Sequence, residues 1–187
     1  MKNIRSNIIA AGILCLSLGM TSCTKGFLDV ESKTESTTGN FYKTEQDAYR
    51  ALLGCYDGYR RATCGSAVNF LVSAEVMGYE CFGGSGASDG NGMRVTDRFD
   101  LSEMPSSTGS SWSGYYAGIY RCNELITREN SIQWNETGSM HTQYMAECHA
   151  IRAFLYFDVV RQFGNIPLLT KPTDENIPQA DPADVYK

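Results

Sequence analysis

The sequence has 187 residues, of which 42% are hydrophobic and 20% charged. Such a composition excludes wholesale disorder and suffices for one ordinary domain with its own core. The formal net charge is −5, and an acidic surface repels phosphate backbones, so nucleic acid is a poor partner.

In chain order, residues 1–22 read as a signal peptide. Lys2 and Arg5 give a positive start, Ile8 to Leu18 form a short apolar run, and Met20-Thr21-Ser22-Cys23 follows. The run is too short for a transmembrane helix. Small residues directly before Cys23 resemble the lipobox of bacterial lipoproteins. That likeness implies cleavage before Cys23 and acyl chains, palmitate among them, attached to the new N-terminal residue. Each buried methylene adds about 0.8 kcal/mol to membrane attachment, so several chains anchor firmly. Removal of the leader takes Lys2 and Arg5 from the 16 basic residues, leaving 14 against 21 acidic, a balance of −7. Residues 23–40, rich in Ser, Thr, Gly and charge, read as a tether, and residues 41–187 as a helical domain.

Thr44 is an N-cap with Asp47 three residues on, an imperfect capping box. Ala48, Ala51, Leu52, Cys55, Tyr56 and Tyr59 then form an apolar stripe at helical spacing, and Arg60-Arg61 suit the last turn. A second helix is expected over residues 66–79, on Phe70, Leu71, Ala74 and Met77. Residues 83–92 (GGSGASDGNG) carry no apolar side chain beyond one alanine and cannot form a core element. A long irregular loop is expected near residues 80–111. Trp112, Tyr115, Tyr116, Ile119, Asn123 and Ile126 return to helical spacing, with Ser110 or Ser111 as the cap.

The central element is Ser139–Phe163. Tyr144, Cys148, Ile151, Leu155 and Val159 form one apolar stripe; Met145, Ala153, Tyr156, Val160 and Phe163 form a second, so two neighbours must cover this helix. It spans roughly 37 Å at about 1.5 Å per residue. Gly164 supplies a left-handed end, and Asn165-Ile166-Pro167 cannot continue it. Ile166 to Leu169 reads as extended. Asp181-Pro182-Ala183-Asp184 is a strong helix start that calls for more than one turn, so a longer polypeptide is expected. The expected architecture is all-α: four helices in two antiparallel pairs.

Five cysteines follow Cys23 with no C-x-x-C spacing, so no zinc ribbon or thioredoxin-like site is signalled. Cys55, Cys122 and Cys148 lie within helical patterns and are expected to pack as small hydrophobes; a Cys55–Cys64 disulfide is not expected.

Four blocks in order resemble the SusD/RagB family of Bacteroidota surface lipoproteins. They are the lipobox, then Gly26-Phe27-Leu28-Asp29, then Asn40-Phe41-Tyr42 leading into Ala48; Trp112-x-x-Tyr115-Tyr116-x-x-Ile119-x-x-Cys122-Asn123-x-Leu125-Ile126; Glu147 to Phe157 with Phe163-Gly164-Asn165-Ile166-Pro167-Leu168; and Asp184-Val185-Tyr186, which is similar to the start of the family's next helix. The resemblance implies a fold of tetratricopeptide-like helix pairs at the cell outer membrane, lipid-anchored and surface-exposed. It implies carbohydrate uptake, with an oligosaccharide ligand and a SusC-like TonB-dependent transporter as partners, and no catalysis. Family members are much longer, so the chain corresponds to about their N-terminal third. Alternatives are peptide capture, as in the RagB branch, and a non-catalytic helical-repeat scaffold.

Tyr115, Asn123, Glu147, Arg152, Gly164 and Pro167 read as structural members of these blocks. Glu147 and Arg152 are five apart on one helix and point in different directions, which disfavours an acid–base pair. His141 and His149 lack a zinc spacing, and Asp89-Gly90-Asn91-Gly92 lacks the bidentate Glu of a calcium loop, so no metal or other cofactor is expected. The ligand-binding expectation falls on Asp89, Asn91, Arg94, Asp97 and Trp112. Sugar recognition needs planar polar groups for the hydroxyls and an aromatic face for the C–H side of the ring.

Overall fold

The computed structural model describes residues 41–65, 69–84, 86, 88, 90–100, 102–135 and 138–187. The expected signal peptide, Cys23 and the tether lie outside the described residues. Among the described residues there are six α-helices: α1 (Glu45–Cys64), α2 (Phe70–Met77), α3 (Asn91–Asp97), α4 (Met104–Thr127), α5 (Ser139–Phe163) and α6 (Pro182–Val185). Among the described residues the fold is all-α apart from one two-residue antiparallel ladder, β1 (Ile166–Pro167) with β2 (Gln179–Ala180), and a single bridge between Thr44 and Gln133. None of the described helices is long and apolar enough to cross a membrane.

The caps behave as their chemistry requires. Thr44 Oγ1 accepts from the Asp47 amide at 3.2 Å while Asp47 accepts from the Thr44 amide at 3.0 Å, so two donors left over by α1 are satisfied reciprocally. Asp181 caps α6 by accepting from the Ala183 amide at 2.8 Å. Gly164 ends α5 at φ +74°, a conformation that a β-carbon would strain.

Three long helices form the hub. α1 and α4 are antiparallel, as the contacts Gly58–Gly118 and Ala62–Gly114 require. α4 and α5 are antiparallel as well, with Tyr115 beside Asp158 and Asn123 beside Arg152. α1 and α5 therefore run parallel. The closest approach is at Gly58, where an added Cβ would lie 2.9 Å from the Gly118 Cα. Around it Ala48, Leu52, Tyr115, Ile119, Leu125, Leu155 and Val159 are buried.

The expected two pairs are thus found only in part: α4–α5 is a sequential pair, but the antiparallel partner of α1 is α4. α2 is too short to cover α1, having eight residues and burying only Ser73 and Val76. Its expected apolar face is also corrected. Leu71 is 64% exposed and Met77 37%, and the buried edge is Asn69, Ser73 and Val76. Asn69 caps the helix, and Ser73 accepts from Gln162, tying α2 to α5. In α1 Tyr56 faces solvent and donates to Glu147, and in α5 Ala153 is exposed.

The irregular stretch near residues 80–111 is shorter than expected. α3 forms within it because Val95 and Thr96 gain burial and the Thr96 hydroxyl bonds back to Gly92 O at 2.8 Å. α4 begins at Met104, with Pro105 in its first turn, and not at Ser110 or Ser111. Ser111 is fully buried and bonds Gln162 instead of capping.

After α5 the chain is extended but has little sheet to satisfy it, so side chains do this work. Tyr116 donates to Pro167 O and Asn123 to Leu169 O, each at 2.8 Å. The Tyr156 hydroxyl both donates to Leu169 O and accepts from Leu169 N, while Arg152 reaches Thr170 O. These bonds lay residues 166–170 along α4 and α5.

Two measurements check the hub. Gly58→Val should destabilise the protein by about 2 kcal/mol in denaturant unfolding, because the Cβ meets backbone that cannot swing aside. The second concerns Asp57. Hydrogen bonds from Arg121 and Arg60, with Arg61 alongside, hold its carboxyl at about 2. A carboxyl lowered on folding contributes stability above its unfolded value, lost as pH falls from about 4 to 2. Asp57→Asn should flatten that part of the stability–pH curve, and added salt should shrink the difference.

Candidate functional site

The surface around α2 and α3 is built by two similar helix ends. After α2 the Glu80 amide reaches Glu75 O at 3.0 Å and the Tyr79 amide reaches Val76 O at 3.3 Å. After α3 the Asp100 amide reaches Val95 O and the Phe99 amide reaches Thr96 O, each at 3.1 Å. Both are Schellman turns, whose left-handed position is usually glycine. Here it holds Tyr79 at φ +61° and Phe99 at φ +53°. A left-handed non-glycine residue costs about 1 kcal/mol or more. The turns bring the two rings to 6.2 Å between centroids, with Tyr79 81% exposed and Phe99 41%. Phe82 is exposed in the same connection. Strained backbone thus holds an aromatic pair out to solvent.

The polar residues expected from the sequence lie beside this pair in the chain. Asn91, Arg94 and Asp97 fall three apart on α3. The Asn91 amide donates to Glu103 at 3.4 Å. The Arg94 Nε is buried and has no hydrogen-bond partner among the described residues, a donor that a ligand oxygen or a water would satisfy. Asp97 lies under Gly83, where an added Cβ would come within 2.5 Å of the Asp97 Cβ. Asp100 accepts from the Ser102 hydroxyl and amide, and these bonds hold its carboxyl below the usual range. Asp89 lies outside the described residues. Trp112 stands apart on α4, half-buried, 4.7 Å from the Tyr116 ring and edge-on to Phe163 at 5.0 Å.

The residues of the family-like blocks are tied into the scaffold. Asn123, 1% exposed, donates to Leu169 O and accepts from Arg152 at 2.7 Å. Glu147 accepts from Tyr56 at 3.0 Å and from Gln143 at 2.8 Å. Tyr115 is fully buried and its hydroxyl bonds Asp158; burial, with the Asp158 charge, pushes its ionisation upward. His141 bonds Glu129 at 2.6 Å and stacks on Trp134.

Two clefts were not foreseen. One of about 790 Å³ lies between α5 and α6, with Phe154, Phe157 and Tyr186 beside His149, Arg152 and Asp184. The other, about 340 Å³, lies between α1 and α4 and has Phe41, Tyr42 and Tyr120 beside Arg50 and Arg121. Tyr42 there is left-handed at φ +62°, and burial followed by the Glu124 charge pushes its hydroxyl up to about 12. The only sequence signal for the first cleft is that α5 is apolar almost all round. For the second there is none.

Comparison with known proteins places this arrangement. The chain is 28% identical over 173 residues to the SusD-like protein P38 of Formosa agariphila, covering 91% of this chain and 32% of that protein. It is 24% identical to the SusD-like protein P25 of the same organism, covering 78% of this chain and 28% of the relative. The chain therefore spans about a third of the length of the curated relatives it matches. Among solved structures it resembles a SusD homolog from Bacteroides thetaiotaomicron, with a TM-score of 0.58 and 26% identity over 83% of this chain and 30% of that one. The surface glycan-binding protein A of Bacteroides uniformis has the same fold, with a TM-score of 0.60 and 21% identity over 76% of this chain and 32% of that one. Residues 86–186 match the SusD-like family described as starch-binding and associating with the outer membrane, and the chain belongs to that family.

Proposed function

We propose that this chain belongs to a glycan-binding lipoprotein that is anchored through Cys23, faces the exterior, and works with a SusC-like TonB-dependent transporter in oligosaccharide uptake. The observation that carries this reading is the match of residues 86–186, from α3 to α6, to a starch-binding, outer-membrane family. Such a protein captures and hands over without catalysis. Tethering it above a transport pore raises the local concentration of captured ligand there.

The ligand-contact surface we assign is the α2–α3 rim. Asn91, Arg94 and Asp97 supply donors and acceptors for hydroxyls, with Asp89 next to them in the sequence. Tyr79 and Phe99 supply the apolar faces that the C–H side of a sugar ring stacks on. Trp112 lies outside this rim, packed on Tyr116 and Phe163, and would be a separate ligand contact only by giving up that packing.

Calorimetric titration of the full-length protein with a panel of oligosaccharides tests the assignment. Arg94→Ala should weaken binding by about tenfold, near 1.4 kcal/mol, with an unchanged melting temperature. Trp112→Ala should also lower the melting temperature, since its ring packs on two others. Unchanged affinity in Arg94→Ala and in Tyr79→Ala/Phe99→Ala removes the rim from the site, and binding of peptides without any saccharide overturns the glycan reading. Separately, cells fed labelled palmitate should incorporate it into the protein, and Cys23→Ala should abolish the label.

A further inference from the structure

Three cysteines that no part of glycan capture requires meet where α1, α4 and α5 come together. Cys55, Cys122 and Cys148 are each 0% exposed. None is in a disulfide. Their sulfur atoms all lie within 4.8 Å of one another, and the Cys55–Cys148 edge is 3.9 Å. Each comes from a different helix, so the triangle is a product of tertiary packing. The helices are pinned there: the Gly58–Gly118 contact lies one turn away along α1 and α4, and it fixes how far apart Cys55 and Cys122 can be.

We propose that Cys55, Cys122 and Cys148 form a closed three-sulfur site for a soft, three-coordinate ion of the copper(I) or trivalent-arsenic class. A copper–sulfur bond of about 2.3 Å in a trigonal plane puts the sulfurs about 4.0 Å apart, and a pyramidal arsenic centre with bonds of similar length draws them somewhat closer. The observed edges lie close to that spacing, 3.9 Å for Cys55–Cys148 and within 4.8 Å for all three. Three features select the ion. The donors are all sulfur, which excludes magnesium and calcium. No fourth His, Cys, Asp or Glu joins the group among the described residues, so zinc cannot complete its tetrahedron with protein donors. The surroundings are apolar, which favours a product of low charge.

Arsenous acid meets the last condition fully. It condenses with three thiols to a neutral tris-thiolate, three As–O bonds being replaced by three As–S bonds and three waters leaving; arsenic stays trivalent. Copper(I) displaces two thiol protons to solvent and is held by two thiolates and one thiol, a net charge of −1. No redox change occurs in either case. The Arg152 guanidinium, bonded to Asn123 next to Cys122, offers a positive charge to offset that negative one. Because the sulfurs are sealed, filling requires a transient opening of the helix junction, and uptake should be slow.

Native mass spectrometry of the full-length protein, anaerobic and reduced, with arsenite or copper(I) supplied as a chelate, tests the proposal. The expected result is one ion retained per chain and a raised melting temperature. A variant with Cys15, Cys23, Cys64 and Cys81 all changed to Ser should keep the ion, and Cys122→Ala should lose it while keeping its helical circular dichroism. Zinc should not be retained under the same conditions. Retention of arsenic alone, or copper alone, identifies which of the two ions the site takes. The proposal is overturned if neither ion is retained, if the four-cysteine variant loses binding, or if a disulfide joins two of the three core cysteines in protein isolated without reductant. Should Cys122→Ala fail to fold, the four-cysteine variant alone decides the matter.

Discussion

Between Gly58 and Gly118 no side chain intervenes, and α1 and α4 meet backbone to backbone. That single approach sets the spacing of the hub. One turn away along both helices the space is so narrow that only small side chains fit, and thiols occupy it from all three helices. Larger groups such as Tyr115, Ile119 and Leu125 fill the flanks where the helices diverge. Leu155 of α5 lies directly against the crossing, since an added Cβ at Gly118 would meet its Cδ1 at 2.9 Å. The third helix is therefore positioned by the contact between the first two.

A second constraint is polar. Residues 166–170 leave α5 in an extended conformation with only a two-residue ladder to pair with. Buried backbone groups must find partners, and here Tyr116, Asn123, Arg152 and Tyr156 provide them. Asn123 is the pivot: it accepts from Arg152 and donates to Leu169, so one buried amide joins α4, α5 and the segment beyond. The same apolar-plus-polar logic appears in the Ser73–Gln162–Ser111 chain that fastens α2, α5 and α4.

What could be read from the sequence followed how local the cause was. The bounds of α5 and the caps at Thr44 and Asp181 depend on neighbours within a few residues, and they stand where the sequence places them. α3 was missed because its glycine-rich start argues against a helix, while its cause, the burial of Val95 and Thr96, is tertiary. The face of α2 was misread because a serine and an asparagine are buried there in place of Leu71 and Met77. For the candidate site, the residue types at Asn91, Arg94 and Asp97 were visible, but their common helix was not. The Tyr79–Phe99 pair was invisible: a left-handed aromatic has no sequence signature, and only two copied helix ends bring the rings together. The convergence of three cysteines across 93 residues of chain was equally beyond spacing rules.

The entry to α1 has a mechanical meaning. Lys43 O accepts from the Gln133 amide at 2.9 Å, Thr44 forms a parallel bridge to Gln133, and Glu45 grips Asn135 by both its amide groups. A pull on the chain ahead of Phe41 would load this latch before it reached the first turn of α1. The Lys43, Thr44 and Glu45 links fall on three consecutive residues, so they would share that load. The latch hands the load to the α4–α5 connection, so drag on the domain would be shared by the two most deeply packed helices while the first helix stays wound.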